Sequence, residues 1–202
     1  GVAMWREYVQ IPLVVQRMLE VLWDMAMTAR AGGSMDYTLA KEVVSIYDLL
    51  GSRSSSGRVY HSDFADAFVS QTLHLYSLEA HQLVSLSDCS AFVSRAHSRI
   101  TGELQSAQQY MLPETLPHLS AACERAFISE QREWLQNFFD RLLLEDPPNA
   151  REQLWHLYSL LCRVQGGLDV ARARFLELVA REGTQALASL NSASPSRVFC
   201  TP

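Results

Sequence analysis

The sequence predicts an all-α protein, an elongated helical bundle or solenoid of about seven helices. Apolar residues recur three or four apart through long windows, and nowhere does a period of two persist. The 9 glycines and 7 prolines are few and gather at the ends of those windows. An apolar fraction of 48% excludes disorder, and 202 residues suffice for one core or for two helical units in series.

In chain order, Ile11 to Arg30 carries one apolar stripe through Leu13, Val14, Met18, Leu22, Met25 and Met27. Gly32-Gly33 ends that helix, and Ser34 or Asp36 is expected to cap the next, whose apolar positions are Leu39, Val43, Val44, Ile46, Tyr47 and Leu50. The stretch from Gly51 to Gly57, rich in serine, reads as a loop. Asp63 is placed to cap a long helix from Phe64 to Leu86, with Phe64, Phe68, Val69, Thr72, Leu75, Tyr76 and Leu83 as its stripe. Ser87-Asp88 starts another helix, running from Ala91 to Met111, which Pro113 stops. One helix is expected from Thr115 to Leu144, with Trp134, Phe138 and Phe139 as an interior cluster. Asp146-Pro147-Pro148-Asn149 breaks the chain, a helix spans Arg151 to Val164, and Gly166-Gly167 separates it from a last helix over Leu168 to Leu190. The tail from Asn191 reads as loose.

Several classes of function are disfavoured by composition. Net charge is −5 and the 17 basic residues are scattered, so no dense basic face offers itself to nucleic acid. No apolar run reaches the roughly 18 residues of a membrane span. Cys89, Cys123, Cys162 and Cys200 lie far apart, without metal or redox spacing, and read as thiols of a reducing compartment. His74 and His81 share a helix face with Glu79 between them, but zinc needs three or four ligands and the HExxH spacing is missing. Asp63/Asp66 and Glu145/Asp146 sit at helix ends, where carboxylates complement the helix dipole or are solvated. Phosphate-cradling glycine loops and a nucleophile elbow are absent from the sequence. The expectation is therefore no catalytic residues, no cofactor, no metal and no small-molecule substrate.

A family pattern emerges at the third helix. Val59-Tyr60, Asp63-Phe64 and Phe68-Val69 are followed by Tyr76 with Glu79, then by Arg95, Arg99, Glu103 and Tyr110-Met111, then by Thr115, Leu119, Cys123-Glu124 and Ile128. The most telling stretch is Leu154, Leu157-Tyr158, Leu160, Arg163 and Gly167-Leu168, with Gly183 beyond it. These residues, with the turn Ala29-Arg30-Ala31-Gly32-Gly33, resemble the amino-terminal helical-repeat region of cullins over roughly residues 13 to 190. Leu157 stands where the family pattern has a methionine, and the glutamate expected before Arg30 is missing. The signature positions taken as core are Tyr60, Phe64, Phe68, Tyr76, Tyr110, Leu154, Tyr158, Arg163, Gly167 and Gly183.

The resemblance implies a piece of a longer protein. Residues 1–50 would end a first cullin repeat and start a second, 51–145 would form the second, 146–190 would open a third, and 191–202 would be a flexible tail. It implies a rigid, non-catalytic scaffold segment of a cullin-RING ubiquitin ligase that spaces a substrate adaptor from the RING end. The adaptor would dock through a first repeat lying mostly before Gly1, with Met4, Trp5 and Arg6 as a remnant. The RING protein would dock through a domain beyond Pro202. The partners are then proteins, with no nucleic acid and no membrane, and the location is cytoplasmic and/or nuclear. A vesicle-tethering rod or the cullin-like subunit of the anaphase-promoting complex is the alternative. Of the 17 basic residues only Lys41 is a lysine; arginine-favouring codons explain that count, and a surface kept poor in ubiquitin acceptors is the other reading.

Overall fold

The computed structural model describes residues 12–52, 60, 64–86, 88–145 and 148–193. Among the described residues there are eight α-helices and no strand. They are α1 (Pro12–Arg30), α2 (Tyr37–Ser52), α3 (Asp66–Ser85), α4 (Cys89–Ala107), α5 (Leu116–Glu124), α6 (Arg132–Glu145), α7 (Ala150–Leu161) and α8 (Asp169–Ala193). No described helix is long and apolar enough to cross a membrane. The chain divides into two compact units, Gly1–Gln131 and Arg132–Pro202.

In the first unit, local chemistry sets the helix ends. Gly32 takes φ of 89°, and Gly33 N–H donates to Thr28 O at 2.9 Å while Gly32 N–H donates to Ala29 O at 3.0 Å. This pair of bonds closes α1 in a left-handed turn that a side chain would strain. Of the two expected caps for α2, Asp36 acts: its Oδ1 accepts from Leu39 N–H at 3.0 Å. Asp88 does the same for α4, accepting from Ala91 N–H at 2.9 Å. α4 stops at Ala107, short of Met111; Tyr110 and Met111 lie buried in the turn that follows, before a 3₁₀ turn at Pro113–Thr115.

The stripes differ in detail from the sequence pattern. On α3 the buried line is Phe68, Thr72, Tyr76 and Ala80, one residue per turn. On α2 the inward residues are Ala40 and Val44, whereas Leu39 and Ile46 are 47% and 38% exposed. Rings pack in the core as two runs: Tyr60–Phe64 at 5.7 Å, Phe64–Phe68 at 5.6 Å and Trp23–Phe68 at 5.5 Å in one, and Tyr76–Phe127 at 5.3 Å and Phe92–Phe127 at 6.3 Å between centroids in the other. Offset and edge-on pairs at these spacings add to the area they bury.

The single helix expected from Thr115 to Leu144 is two helices. Arg125–Ser129 is a π-helical turn, in which Glu130 N–H donates to Arg125 O at 2.9 Å, five residues back. Ala126, Phe127 and Ile128 within this turn are all buried.

In the second unit, α6 contributes Leu135, Phe138 and Leu142 to the core, and α7 contributes Leu157, Leu160 and Leu161. Phe139 and Trp134 of the expected cluster are half-buried. Gly166 takes φ of 71°, and Gly167 is buried beneath the end of α7. A Cβ on Gly167 would collide with Leu161 O and lie 3.0 Å from Val164 O, so the turn admits only glycine there. α8 continues past Leu190 to Ala193 and leaves Phe175, Leu176 and Val179 more than half exposed. Of the stretch Gly51 to Gly57 expected as a loop, Gly51 and Ser52 belong to α2; the rest of it, Asp63, Asp146-Pro147, the tail from 194 and Met4, Trp5 and Arg6 lie outside the described residues.

Gly167→Ala is expected to lower stability by about 1–3 kcal/mol through overpacking against backbone. Gly183→Ala, whose Cβ meets open space within α8, is expected to raise it by roughly 0.5–1 kcal/mol. Urea-unfolding midpoints of the two variants check both signs.

Candidate functional site

The last residue of α1 carries the most heavily partnered side chain described. Arg30 enters the space between α3 and α4, with only 8% of its side chain exposed, and meets Glu103, with 5% exposed. Its Nε–H donates to Glu103 Oε2 at 2.8 Å and its Nη2 to Glu103 Oε1 at 2.6 Å, the two-pronged geometry that suits a guanidinium to a carboxylate. Nη2 also donates to Thr72 Oγ1 at 2.8 Å, and Tyr76 donates its hydroxyl proton to Glu103 Oε2 at 2.5 Å. Three rings surround the guanidinium carbon, with centroids 4.9 Å (Trp23), 5.3 Å (Phe68) and 5.4 Å (Tyr76) away. Cation–π attraction strengthens where water is excluded, as it is here.

The cluster continues outward. Arg99 Nη1 donates to the backbone O of Arg30 at 3.0 Å, satisfying a carbonyl that the end of α1 leaves free, and Arg99 Nε donates to Glu79 Oε1 at 2.9 Å. Arg95 Nε reaches the same oxygen at 3.1 Å. Tyr37 shares a 3.2 Å hydrogen bond with Ser106 and packs 6.3 Å from Tyr110. A shallow cleft of about 270 Å³ opens over Arg30, Tyr37, Tyr76, Arg99, Glu103 and Tyr110. A second, smaller clasp joins Tyr60 to Thr115, hydroxyl to hydroxyl at 2.9 Å, and takes the N–H of Leu112 at 3.4 Å.

Electrostatics make the cluster a clamp. Burial alone would lower the Arg30 pKa, but the hydrogen bond and charge of Glu103 outweigh it and raise it. Burial, followed by the Glu103 charge, pushes the Tyr76 and Tyr110 phenols up from their ordinary value. The same two causes push the Cys123 thiol up to about 12. At neutral pH Arg30 stays charged and the Tyr76 phenol stays protonated, so both keep their hydrogen bonds to Glu103.

The sequence signature falls into three groups. Tyr60, Phe64, Phe68, Tyr76, Tyr110 and Gly167 are buried. Leu154 and Arg163 are half-buried. Tyr158, taken as core, is 49% exposed and stacks on Trp155 at 6.0 Å on the outer side of α7; Gly183 is exposed on α8. Period alone places Tyr158 beside Leu157 and Leu161, but those leucines take the inward face. His74 and His81 are exposed, Glu79 belongs to Arg99 and Arg95, and among the described residues no group of three or more His, Cys, Asp or Glu could hold a metal. The Arg30–Glu103 pair was missed as a pair. Its signal was Glu103 standing in register with the buried stripe Phe92, Ala96, Ile100 and Ala107.

Comparison with known proteins agrees with the fold. A family model described as the cullin alpha solenoid domain matches residues 1–198. The chain is similar to Cullin-1 of Dictyostelium discoideum, 29% identical over 195 residues, covering 94% of this chain and 25% of that protein. It is similar to Cullin-3A of Arabidopsis thaliana, 24% identical over 174 residues (85% of this chain, 23% of the relative). Cullin-1 of Schizosaccharomyces pombe is 28% identical over 131 residues (65% and 17%). The chain thus spans about a quarter or less of the length of these relatives.

Glu103→Gln leaves the Arg30 charge buried beside a neutral amide and is expected to cost about 3–5 kcal/mol. Arg30→Met combined with Glu103→Leu removes both charges and is expected to recover most of that loss. Denaturant unfolding of the single and double variants measures both.

Proposed function

The chain belongs to the cullin family, and from that membership we propose that it is a rigid, non-catalytic scaffold segment of a cullin-RING ubiquitin ligase. The observation that carries the proposal is the family match over residues 1–198. The Arg30–Glu103 clamp supports the rigidity, because it fixes three helices drawn from distant parts of the sequence against one another. A packed stack of helices transmits a set separation that a flexible linker does not. Holding a substrate lysine near an activated ubiquitin raises the effective concentration of the two reacting groups, and that is catalysis by position.

In this proposal, residues 1–50 close a first repeat and start a second, 51–145 make the second, and 146–190 open a third. Their boundaries differ from the division at Gln131 between the two compact units. A substrate adaptor docks through the first repeat, a RING protein docks through a distant carboxy-terminal domain, and the assembly works in the cytoplasm or nucleus.

The test uses the full-length protein assembled with its adaptor and RING partners. Glu103→Gln, at a temperature where it remains folded, is expected to slow ubiquitin transfer to an adaptor-bound substrate roughly tenfold by loosening the spacing, with adaptor and RING affinities unchanged. Unchanged transfer, or ubiquitin transfer by residues 1–202 alone, contradicts the proposal.

A further inference from the structure

The described arginines include two extremes. Arg30 needs to be arginine: two of its nitrogens engage both oxygens of Glu103, a third bond goes to Thr72, and its plane lies among three rings. A lysine ammonium, a compact point charge, reproduces none of that fork. Arg17, Arg125 and Arg181 have no such need. Their side chains are 77%, 65% and 54% exposed, and the ion pair at each is one nitrogen on one oxygen: Glu20 at 2.8 Å, Glu130 at 3.4 Å and Glu182 at 3.5 Å. Lysine makes such exposed pairs equally well, and they contribute little in either form. Yet of the 17 basic residues in the chain only Lys41 is a lysine, and it is exposed on α2.

What separates the two cations on an exposed surface is nucleophilicity. A lysine that sheds its proton to solvent presents a neutral amine that attacks a thioester carbonyl. The C–N bond forms as the C–S bond breaks, the carrier's sulfur leaves as a thiol, and the new link is an amide. A guanidinium, with its pKa above about 12 and its lone pairs delocalised, presents no such nucleophile near neutral pH. Resting on the ligase role proposed above, we propose that this arginine surface protects the segment from acylation by the ubiquitin thioester it works beside, and that Lys41 is the one acceptor side chain it retains.

The experiment reconstitutes the full-length protein with its partners, a thioester-charged ubiquitin carrier and substrate, and maps ubiquitin remnants by mass spectrometry. Within the segment the wild type is expected to carry ubiquitin on Lys41 alone, and Lys41→Arg to remove it. The triple variant Arg17→Lys, Arg125→Lys, Arg181→Lys is expected to melt with the wild type and to gain ubiquitin at the new lysines, several-fold over the segment. New lysines left unmodified while the substrate is modified overturn the proposal and leave arginine-favouring codons as the cause of the count. A substrate left unmodified by the wild-type assembly overturns the ligase role itself, and this proposal with it.

Discussion

The buried pair of Arg30 and Glu103 is the constraint on which the first unit depends. Two opposite charges that water barely reaches are stable only if each remaining donor and acceptor is met. Thr72 takes a hydrogen bond from Arg30, Tyr76 gives one to Glu103, Met27 Sδ lies 3.6 Å from Arg30 Nη1, and the rings of Trp23 and Phe68 flank the guanidinium. The angle at which α1 leaves its Gly32-Gly33 turn, the rotation of α3 that brings Thr72 and Tyr76 to the same side, and the position of Glu103 along α4 are therefore coupled. An apolar core tolerates sliding of one helix on another; a two-pronged ion pair with a third and fourth hydrogen bond does not.

Part of the family pattern gathers around this pair. Arg30, Tyr76, Arg99, Glu103 and Tyr110 are spread over four segments of sequence and line one cleft, and Glu79 holds Arg99 from outside it. The phenols and the thiol beside it stay protonated because burial and the Glu103 carboxylate disfavour another negative charge there.

Much of the fold was legible residue by residue. The apolar period gave α1, α3, α4, α7 and α8 their places, glycine gave the turns at 32–33 and 166–167, and Asp36 and Asp88 gave helix starts, because each of these signals is local. Three features were not legible. The π-helical turn at Arg125–Ser129 contains neither proline nor glycine, so no local signal marks it. The Arg30–Glu103 pair joins residues 73 positions apart, and no local pattern names one as the partner of the other. Tyr158 sits next to buried leucines in sequence yet faces outward, because α7 buries Leu157, Leu160 and Leu161 and has no fourth inward position in that turn. The clamp was half-written in the sequence: Thr72 and Glu103 both occupy apolar stripes, and a polar residue in such a register asks for a partner.

The central claim is that one ion pair holds α1, α3 and α4 as a single joint. Native-state amide hydrogen exchange of Glu103→Gln against wild type tests it most directly. If the pair couples the three helices, the slowest amides of α1, α3 and α4 lose protection together and by the same factor. Loss confined to α1, with α3 and α4 protected as before, would mean that the pair only pins one helix end, and would contradict the claim.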